Sequence, residues 1–265
     1  MLRSDMADRF AFQSILITGA SSGLGAALAM RLAGPGVTLT LTGRREDSLR
    51  AVAKTCTDAG AGVTPAVVDV RDARTMASTV SDADRRKPLD LVIANAGISG
   101  GTGSSGETEA QAREIFATNV DGVLNTVLPA LPPMKSRGGG HIAVMSSLAG
   151  FRGLPTAPAY AASKAAVKSW GEGLRGALAP DGIGVSVICP GFVESGITAA
   201  NDFHMPFLMP SDRAAEIICR GLMRNKGRIA FPWPMVFGVW LLDALPDFVG
   251  DAMARHLPAK PEMNP

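Results

Sequence analysis

The chain has 265 residues, a length that fits one α/β domain or two smaller domains, with 26 Lys and Arg against 24 Asp and Glu. The net charge of +2, without a run of basic residues, argues against nucleic acid as a partner. Hydrophobic residues make up 46% of the chain and charged residues 19%, which is too apolar for intrinsic disorder.

Cysteine spacing and the lengths of the apolar stretches bear on disulfides, metal sites, secretion and membrane insertion. The three cysteines are far apart and form no Cys-x-x-Cys pair, so we expect neither a disulfide framework nor a zinc site. Residues 1–10 carry four charges where a secretory signal needs an apolar core. The longest uncharged apolar stretch, 229–242, has 14 residues against the roughly 20 that span a bilayer. We therefore expect a cytoplasmic protein without a metal.

Six short apolar runs alternate with helical patterns along the chain. Runs that are apolar on both faces are typical of strands covered by helices on both sides of a sheet. The 19 to 46 residues between them are long enough for right-handed helical crossovers. The pattern predicts an α/β fold with a doubly wound parallel sheet, whose strands lie at 14–17, 37–41, 63–68, 91–94, 141–145 and 185–188.

A glycine-rich turn directly follows the first predicted strand. It reads Thr-Gly-Ala-Ser-Ser-Gly-Leu-Gly over 18–25 and leads into the helical stretch 26–30. Glycines let the backbone approach a pyrophosphate closely, and the N-terminus of the following helix attracts its negative charge. The G-x-x-x-G-x-G spacing differs from the G-x-G-x-x-G dinucleotide fingerprint, and a flexible Gly-Ser loop is the alternative. The position between strand and helix favours phosphate binding.

Charged residues follow the second and third predicted strands. Arg44 and Arg45 stand about 20 residues past the glycine turn, where a dinucleotide fold holds an acid for the ribose of NAD or an arginine for the 2′-phosphate of NADP. Two arginines favour NADP, and a solvated pair at a helix start is the alternative. Asp69, followed by Val70, is placed to bring a carboxylate near the adenine amino group. A helix N-cap is an equally natural role for Asp69 or Asp72.

The helical pattern over 158–178 contains a candidate acid/base pair. Tyr160 and Lys164 stand four residues apart and therefore share one face of this helix. An ammonium beside a phenol favours the phenolate, so we expect the pKa of Tyr160 to fall from about 10 toward 7. Tyr160 would then serve as an acid/base at neutral pH. An isolated Tyr-x-x-x-Lys is more often a surface pair, and the accompanying motifs decide between these interpretations.

Further motifs accompany this pair in a fixed order: Asn95-Ala96-Gly97 after the fourth strand, Asn119 in the helix that Thr108 opens, Ser147 thirteen residues before Tyr160, and the segment 190–195. With the glycine turn, they resemble the short-chain dehydrogenase/reductase family over roughly residues 12–196. The resemblance implies one Rossmann-type domain over 1–265 with about seven parallel strands. It also implies metal-free, NAD(P)-dependent hydride transfer between an alcohol and a carbonyl.

The resemblance implies a role for each matching residue. Tyr160 exchanges a proton with the substrate oxygen, and Lys164 holds the nicotinamide ribose while lowering the pKa of the phenol. Ser147 hydrogen-bonds the substrate oxygen, and Asn119 keeps a water in a proton relay to Lys164. Ser195 keeps a hydroxyl where the family usually has threonine. The implied cofactor contacts are Thr18, Gly19, Ser21, Ser22, Gly23, Leu24, Gly25, Arg44, Arg45, Asp69, Val70, Asn95, Ala96, Gly97, Tyr160, Lys164, Pro190, Gly191, Val193 and Ser195.

Residues 196–265 are expected to form a substrate lid and a C-terminal extension of the same domain. The stretch 196–210 is rich in Phe, Met and Leu, which favours a mobile wall around a lipophilic substrate, with packing under a loop as the alternative. The stretch 229–242 holds two of the three tryptophans. It either packs against the protein body or a second subunit, or rests in a membrane interface.

These features predict an NADP(H)-dependent oxidoreductase that interconverts a lipophilic secondary alcohol and a ketone or aldehyde. NAD is the less favoured cofactor. A catalytically idle NAD(P)-binding sensor or scaffold is the alternative, because a fold alone does not prove a function. The resemblance further implies a homodimer or homotetramer formed through the helices that hold Asn119 and Tyr160.

Overall fold

A computed structural model of the chain describes residues 12–103, 106–199, 201 and 203–254, so residues 1–10 and 255–265 of the expectations above lie outside the described part. Its central sheet has seven strands: β1 (Ser14–Ile17), β2 (Thr38–Gly43), β3 (Gly62–Val67), β4 (Leu91–Ala94), β5 (Gly140–Met145), β6 (Ile183–Pro190) and β7 (Arg228–Phe231). All neighbours pair in parallel in the order β3-β2-β1-β4-β5-β6-β7. The expected doubly wound sheet is therefore confirmed.

The last strand was not separated from its surroundings by the sequence pattern. The uncharged apolar stretch 229–242, which Pro232 and Pro234 interrupt, contains the end of β7 and most of a helix, and the chain changes from one to the other at Pro232. In β7, Ile229 and Phe231 are buried. The six strands expected from the residues are all present, with ends shifted by up to two residues.

The helices that surround the sheet are α1 (Gly23–Leu32), α2 (Glu46–Asp58), α3 (Ala73–Arg86), α4 (Glu109–Phe116), α5 (Gly122–Val127), α6 (Leu131–Arg137), α7 (Pro158–Leu178), α8 (Gly196–Ala199), α9 (Ser211–Met223), α10 (Trp233–Ala244) and α11 (Asp247–Ala254). The predicted helix 158–178 is confirmed as α7. Thr108 caps α4, because its side chain accepts a hydrogen bond from the backbone N–H of Gln111. A five-residue π-helical turn, Ala117–Asp121, joins α4 to α5.

Alternating side chains of the strands enter two hydrophobic cores, one on each face of the sheet. Ile15 and Ile17 of β1 pack with residues of α1, α2 and α9, whereas Leu16 packs on the opposite face with residues of α3, α5 and α7. This two-sided burial explains why the central strands read as continuous apolar runs. Among the described residues, no helix is both long and apolar enough to cross a membrane.

The carboxyl ends of the parallel strands meet at one edge of the sheet. The strand order reverses between β1 and β4, and open α/β sheets bind ligands in the crevice outside such a reversal. The glycine turn follows β1, Asn95 follows β4, Ser147 follows β5 and Gly191 follows β6. The fold thus brings together motifs that are far apart in the sequence.

Candidate functional site

The glycine turn holds the N-terminus of α1 against the neighbouring loop. Gly19 and Gly23 adopt positive φ angles of 66° and 52°, which favour glycine over other residues. A Cβ on Gly19 would lie 2.8 Å from the Cα of Ala96, and one on Gly25 would collide with the carbonyl oxygen of Gly19. The backbone of the turn is therefore packed too tightly for side chains at these positions. The first N–H groups of α1, which lack partners within the helix, lie at this turn.

Thr18 and Asn95 lock the turn to the end of β4. The Thr18 hydroxyl accepts hydrogen bonds from the backbone N–H groups of Asn95 (3.1 Å) and Ala96 (3.2 Å). The Asn95 side chain donates back to the carbonyl of Thr18 at 2.9 Å. Thr18 is buried and does not line the cavity described below. Its place in the structure is therefore behind the turn, supporting its shape.

Arg44 and Arg45 are exposed at the end of β2 and line the same cavity as the glycine turn. In the described part of the chain, no carboxylate lies within 4 Å of either guanidinium. Nearby Asp69 instead pairs with Arg71, whose Nη2 lies 2.6 Å from Oδ2, and this contact lowers the pKa of the Asp69 carboxyl. Two cationic groups without a paired anion thus face the cavity mouth.

Of the two candidate caps for α3, the structure selects Asp72. Its carboxylate accepts hydrogen bonds from the Thr75 hydroxyl at 2.6 Å and from the Thr75 backbone N–H at 3.0 Å, and both lower the pKa of Asp72. Asp69 remains at the cavity, together with Val70.

Tyr160 and Lys164 face the cavity from the first turns of α7, as the spacing predicts. The Lys164 Nζ lies 5.8 Å from the centre of the Tyr160 ring and donates a hydrogen bond of 3.0 Å to the carbonyl of Met145 at the end of β5. The Ser147 side chain also lines the cavity and hydrogen-bonds the phenol. The phenol of Tyr160, the hydroxyl of Ser147 and the ammonium of Lys164 therefore lie in one site on the cavity.

The expectation of a phenol pKa below 10 is wrong for the chain on its own. Burial raises the pKa of Tyr160 above its usual 10.0, and the hydrogen bond with Ser147 opposes this rise only in part. The Lys164 ammonium lies 5.8 Å from the ring centre and donates a hydrogen bond to the Met145 carbonyl, and the net shift of the phenol pKa remains upward. Tyr160 is nevertheless partly exposed to solvent, because it lines the cavity. Helical spacing identified the pair, but it did not show where the ammonium points.

Asn119 lies in the π-helical turn behind Lys164, fully buried. Its Oδ1 accepts from the backbone N–H of Ile98 at 2.8 Å, and its Nδ2 donates to the Ile98 carbonyl at 2.9 Å and to Ser163 Oγ at 3.0 Å. A Cβ on Gly97 would lie 3.1 Å from Asn119 Oδ1 and 3.3 Å from Lys164 Nζ. Asn119 thus joins the β4 loop to α7, and Gly97 leaves the space in which both side chains approach.

The loop after β6 closes the site from the other side. Its backbone pairs with the following segment at Val193, and Glu194 N–H donates to the Met209 carbonyl at 3.0 Å. The backbone N–H of Ser195 donates to Thr198 Oγ1 at 2.8 Å at the start of α8. A Cβ on Gly23 would lie 2.9 Å from the Ser195 Cβ, so this loop touches the glycine turn.

One cavity of about 800 Å³ joins these parts. Every residue predicted for catalysis or cofactor binding lines it except Thr18 and Asn119, which lie directly behind it. Ile197 and Phe203 of the predicted lid also line it, whereas Phe207 and Leu208 are exposed. Sequence analysis missed a further part of the lining, from the loop after Ser147 and from α10: Leu154, Thr156, Met235, Val239 and Leu242.

The residues at the turn fit a dinucleotide. The positive end of the α1 dipole and two unpaired arginines suit phosphate groups, and the close backbone packing of the turn leaves room for a pyrophosphate where a Cβ would intrude. Within the described residues, no group of three His, Cys, Asp or Glu is arranged to hold a metal ion.

Comparison with known proteins adds independent findings. The family model described as short chain dehydrogenase matches residues 13–204. A protein of Myxococcus xanthus described as an uncharacterized oxidoreductase is 41% identical over 247 residues, which cover 93% of this chain and 98% of that protein.

Two solved structures share the fold over nearly their whole length. A short chain dehydrogenase/reductase from Burkholderia phymatum in complex with NAD has a TM-score of 0.80 at 25% identity, covering 97% of this chain and 99% of its own. A short-chain dehydrogenase from Sphingobium yanoikuyae in complex with NADPH has a TM-score of 0.77 at 25% identity, covering 89% and 97%. The two neighbours hold different nicotinamide cofactors.

Proposed function

Because the chain belongs to the short chain dehydrogenase family and is an NAD(P)-dependent oxidoreductase, we propose that it interconverts a lipophilic secondary alcohol and a ketone or aldehyde with NADP(H). The observation that carries the proposal is the position of Tyr160, Ser147 and Lys164 on one cavity with the glycine turn. Among the described residues, the other titratable side chains that line the cavity are Arg44, Arg45 and Asp69 near the glycine turn, and His204.

We propose that the glycine turn and the N-terminus of α1 hold the pyrophosphate, and that Lys164 holds the ribose hydroxyls nearest the reaction. The backbone of 190–195 forms the opposite side of this part of the cavity. When bound, the nicotinamide supplies a hydride to the carbonyl carbon or accepts one from the alcohol carbon.

The proton is handled by the side chains of the chain itself. In reduction, Tyr160 donates its phenolic proton to the substrate oxygen, and Ser147 donates a hydrogen bond to the same oxygen as negative charge develops there. The ammonium of Lys164, 5.8 Å from the ring centre, stabilises the phenolate that remains. In oxidation, the phenolate accepts the proton of the alcohol.

The direction of the Tyr160 pKa shift favours one starting state. Burial keeps the phenol protonated at neutral pH, which is the form required of a proton donor in reduction. Oxidation begins from the phenolate and is therefore expected to accelerate as the pH rises. Asn119 acts as a positioning residue, since its side chain holds the Ile98 loop and Ser163 beside Lys164.

The preference for NADP(H) rests on Arg44 and Arg45. Their guanidinium groups are exposed at the cavity mouth, and no carboxylate stands at the end of β2 to bind the ribose hydroxyls of NAD. Guanidinium groups form charge-assisted, bidentate hydrogen bonds with phosphate. We propose that one or both bind the 2′-phosphate.

The proposal of a lipophilic substrate rests on the cavity wall beyond Tyr160. Leu148, Leu154, Phe192 and Phe203 contribute apolar surface there, and no Lys, Arg, Asp or Glu of the described chain lines this part. Apart from the exposed imidazole of His204, a phosphorylated or carboxylated substrate would find no basic side chain there. A neutral, apolar carbonyl compound fits this chemistry.

A ketone panel with both cofactors tests the proposal. The wild-type protein is mixed with NADPH or NADH and with steroid-like, long-chain and small polar ketones, and cofactor oxidation is followed by absorbance. We expect faster turnover with NADPH and with apolar ketones, and turnover about a hundred- to ten-thousandfold lower for Tyr160→Phe. Equal, measurable rates in wild type and Tyr160→Phe would refute the mechanism, whereas a wild type that binds the cofactor but reduces no ketone would favour the idle cofactor-binding alternative.

We also propose that a second copy of the chain covers exposed apolar side chains. Phe116 and Leu128, on and beside the helices near Asn119, are 41% and 49% exposed, which supports the dimer contact inferred from the family resemblance. Sedimentation velocity of wild type and Leu128→Glu tests this contact. A monomeric wild type contradicts it.

The membrane alternative for the C-terminal segment has weaker support. Helices α10 and α11 carry Asp243, Asp247 and Asp251 but no Lys or Arg, whereas helices that bind anionic bilayers are rich in basic residues. Flotation with anionic liposomes at low salt checks this interpretation. We expect the protein to stay with the soluble fraction.

A further inference from the structure

Helix α10 has two apolar faces with different surroundings. Met235, Val239 and Leu242 follow the i, i+4, i+7 spacing of one helix face, and all three line the cavity that contains Tyr160 and Ser147. On the outer face Trp233, Phe237 and Trp240 are 76%, 55% and 57% exposed. A single helix therefore separates the reaction cavity from the protein surface.

The first turn of α10 is held against the loop after β6. Strand β7 pairs with β6 through Pro190 and Phe231, so the chain leaves the sheet beside Gly191. The Gly191 N–H donates to the Phe231 carbonyl at 2.8 Å. A Cβ on Gly191 would lie 2.9 Å from the sulfur of Met235, which shows how closely the helix packs on this loop.

The far end of α10 is held by the loop that follows Ser147. Arg152 Nη1 donates a hydrogen bond of 3.2 Å to the carbonyl of Leu242. A Cβ on Gly250 of α11 would lie 2.5 Å from the same guanidinium. The helix thus spans from the loop after β6 to the loop after β5, and its inner face closes the cavity between them.

We infer that the inner face of α10 is the specificity-determining wall of the substrate compartment, and that it receives the apolar group a ketone carries beyond its carbonyl. This inference rests on the proposed function. Val239 lies at the centre of the face, between Met235 and Leu242. The compartment suits a neutral ketone or secondary alcohol with an extended apolar body, because an unpaired charge there would be costly to bury.

Side-chain volume at Val239 should therefore control the accepted size. A hydrophobic pocket discriminates about 10- to 200-fold for one methylene group. Phenylalanine at this position shortens the compartment, and alanine lengthens it. Met235, which can repack, tolerates substitution better than Val239.

The test compares Val239→Phe with Leu241→Phe, which places the same side chain on the exposed outer face of the same helix. Val239→Ala is a second variant in case Val239→Phe does not fold. The probes are 2-alkanones from butanone to dodecanone. Reduction is followed with saturating NADPH, and binding to the protein with NADP⁺ is followed by calorimetry. Circular dichroism checks the fold of each variant.

We expect Val239→Phe to lose at least about tenfold in kcat/KM and affinity for dodecanone, with butanone changed by less than about twofold. Val239→Ala should shift the optimum to longer ketones, and Leu241→Phe should match wild type. Unchanged chain-length profiles in both Val239 variants would overturn the inference, as would a wild type that neither binds nor reduces dodecanone. In a further outcome, wild type binds dodecanone without reducing it, and only Val239→Phe weakens this binding. That result would support the role of the α10 wall and contradict the proposed function instead.

Discussion

The two sides of the cavity are held together in different ways. The side that carries Tyr160 and Lys164 is fixed by directional hydrogen bonds, such as those from Lys164 to the Met145 carbonyl and from Asn119 to Ile98 and Ser163. The side formed by α10 is held mainly by apolar packing. Directional bonds define positions within tenths of an ångström, whereas apolar packing tolerates exchange of similar volumes. The difference suggests that the first side determines the reaction and the second the substrate.

The largest expected effect tests the hydrogen-bonded side. Tyr160→Phe removes the proton donor and one hydrogen bond, and we expect turnover to fall by about a hundred- to ten-thousandfold. Cofactor affinity, measured by fluorescence titration, should change little because the ring remains. Phe237→Leu, on the outer face of α10, is the control and should keep its rate. Comparable activity in Tyr160→Phe and wild type would remove the distinction between the two sides.

Acid stability is the second test, and it concerns a buried histidine at the amino-terminal end of β5, away from both sides of the cavity. His141 Nε2 lies 2.9 Å from Ser186 Oγ, and Ser186 Oγ donates to the Lys226 carbonyl at 2.6 Å. Burial, with a smaller contribution from Arg175, lowers the pKa of His141 from 6.5 to about 4. The unfolded chain therefore binds a proton at higher pH than the folded protein does.

Neutral His141 therefore gives its full contribution to stability above pH 6.5. The free energy of unfolding decreases as the pH falls from 6.5 toward about 4, because the unfolded chain takes up the proton first. A shift of this size corresponds to at most about 3 kcal/mol at the acid end. Urea unfolding across this range measures the slope. His141→Gln should flatten it, and the exposed His204→Gln should not. An equal slope in wild type and His141→Gln would rule out this source of acid sensitivity.

Cofactor selection is a smaller effect, and it concerns the part of the cavity at the end of β2. Replacing Arg44 and Arg45 by alanine should weaken NADPH binding by about ten- to a hundredfold, since hydrogen bonds to charged groups contribute roughly 1.5–3 kcal/mol. NADH binding should change by less than about twofold. The matched control is Arg50→Ala, because Arg50 is exposed on α2 but pairs with Glu46 at 2.7 Å. Equal losses for both cofactors would contradict the assignment to the 2′-phosphate.

The smallest expected effect is the shift of the Tyr160 pKa away from the usual value of a phenol. Tyr160 is the only tyrosine of the chain, so the phenolate absorbance of the cofactor-free protein reports this group alone. Burial predicts a pKa above 10.0. Tyr160→Phe provides the baseline. A midpoint below 10 would show that Lys164 outweighs burial, as the helical spacing alone suggests.

The element pattern was largely predictable because it depends on local sequence. Helix 158–178, the glycine turn and six strands follow from periodicity and from glycine positions. Strand β7 was missed because Ile229 and the residues of α10 form one apolar run, and hydrophobicity does not show where a strand ends and a helix begins. The motifs identified Asn119 and Lys164 as site residues, but they did not predict which groups these two side chains hydrogen-bond.

The sequence alone determined the fold class, the family and the residues able to carry out the chemistry, since motif order and apolar periodicity are properties of the chain. Tertiary structure decided which groups surround each of them. It raised the pKa of Tyr160, placed Asn119 and Thr18 behind the cavity and turned one face of α10 toward Ser147. Burial and the direction of a side chain depend on neighbours that are distant in sequence, and local patterns do not contain this information.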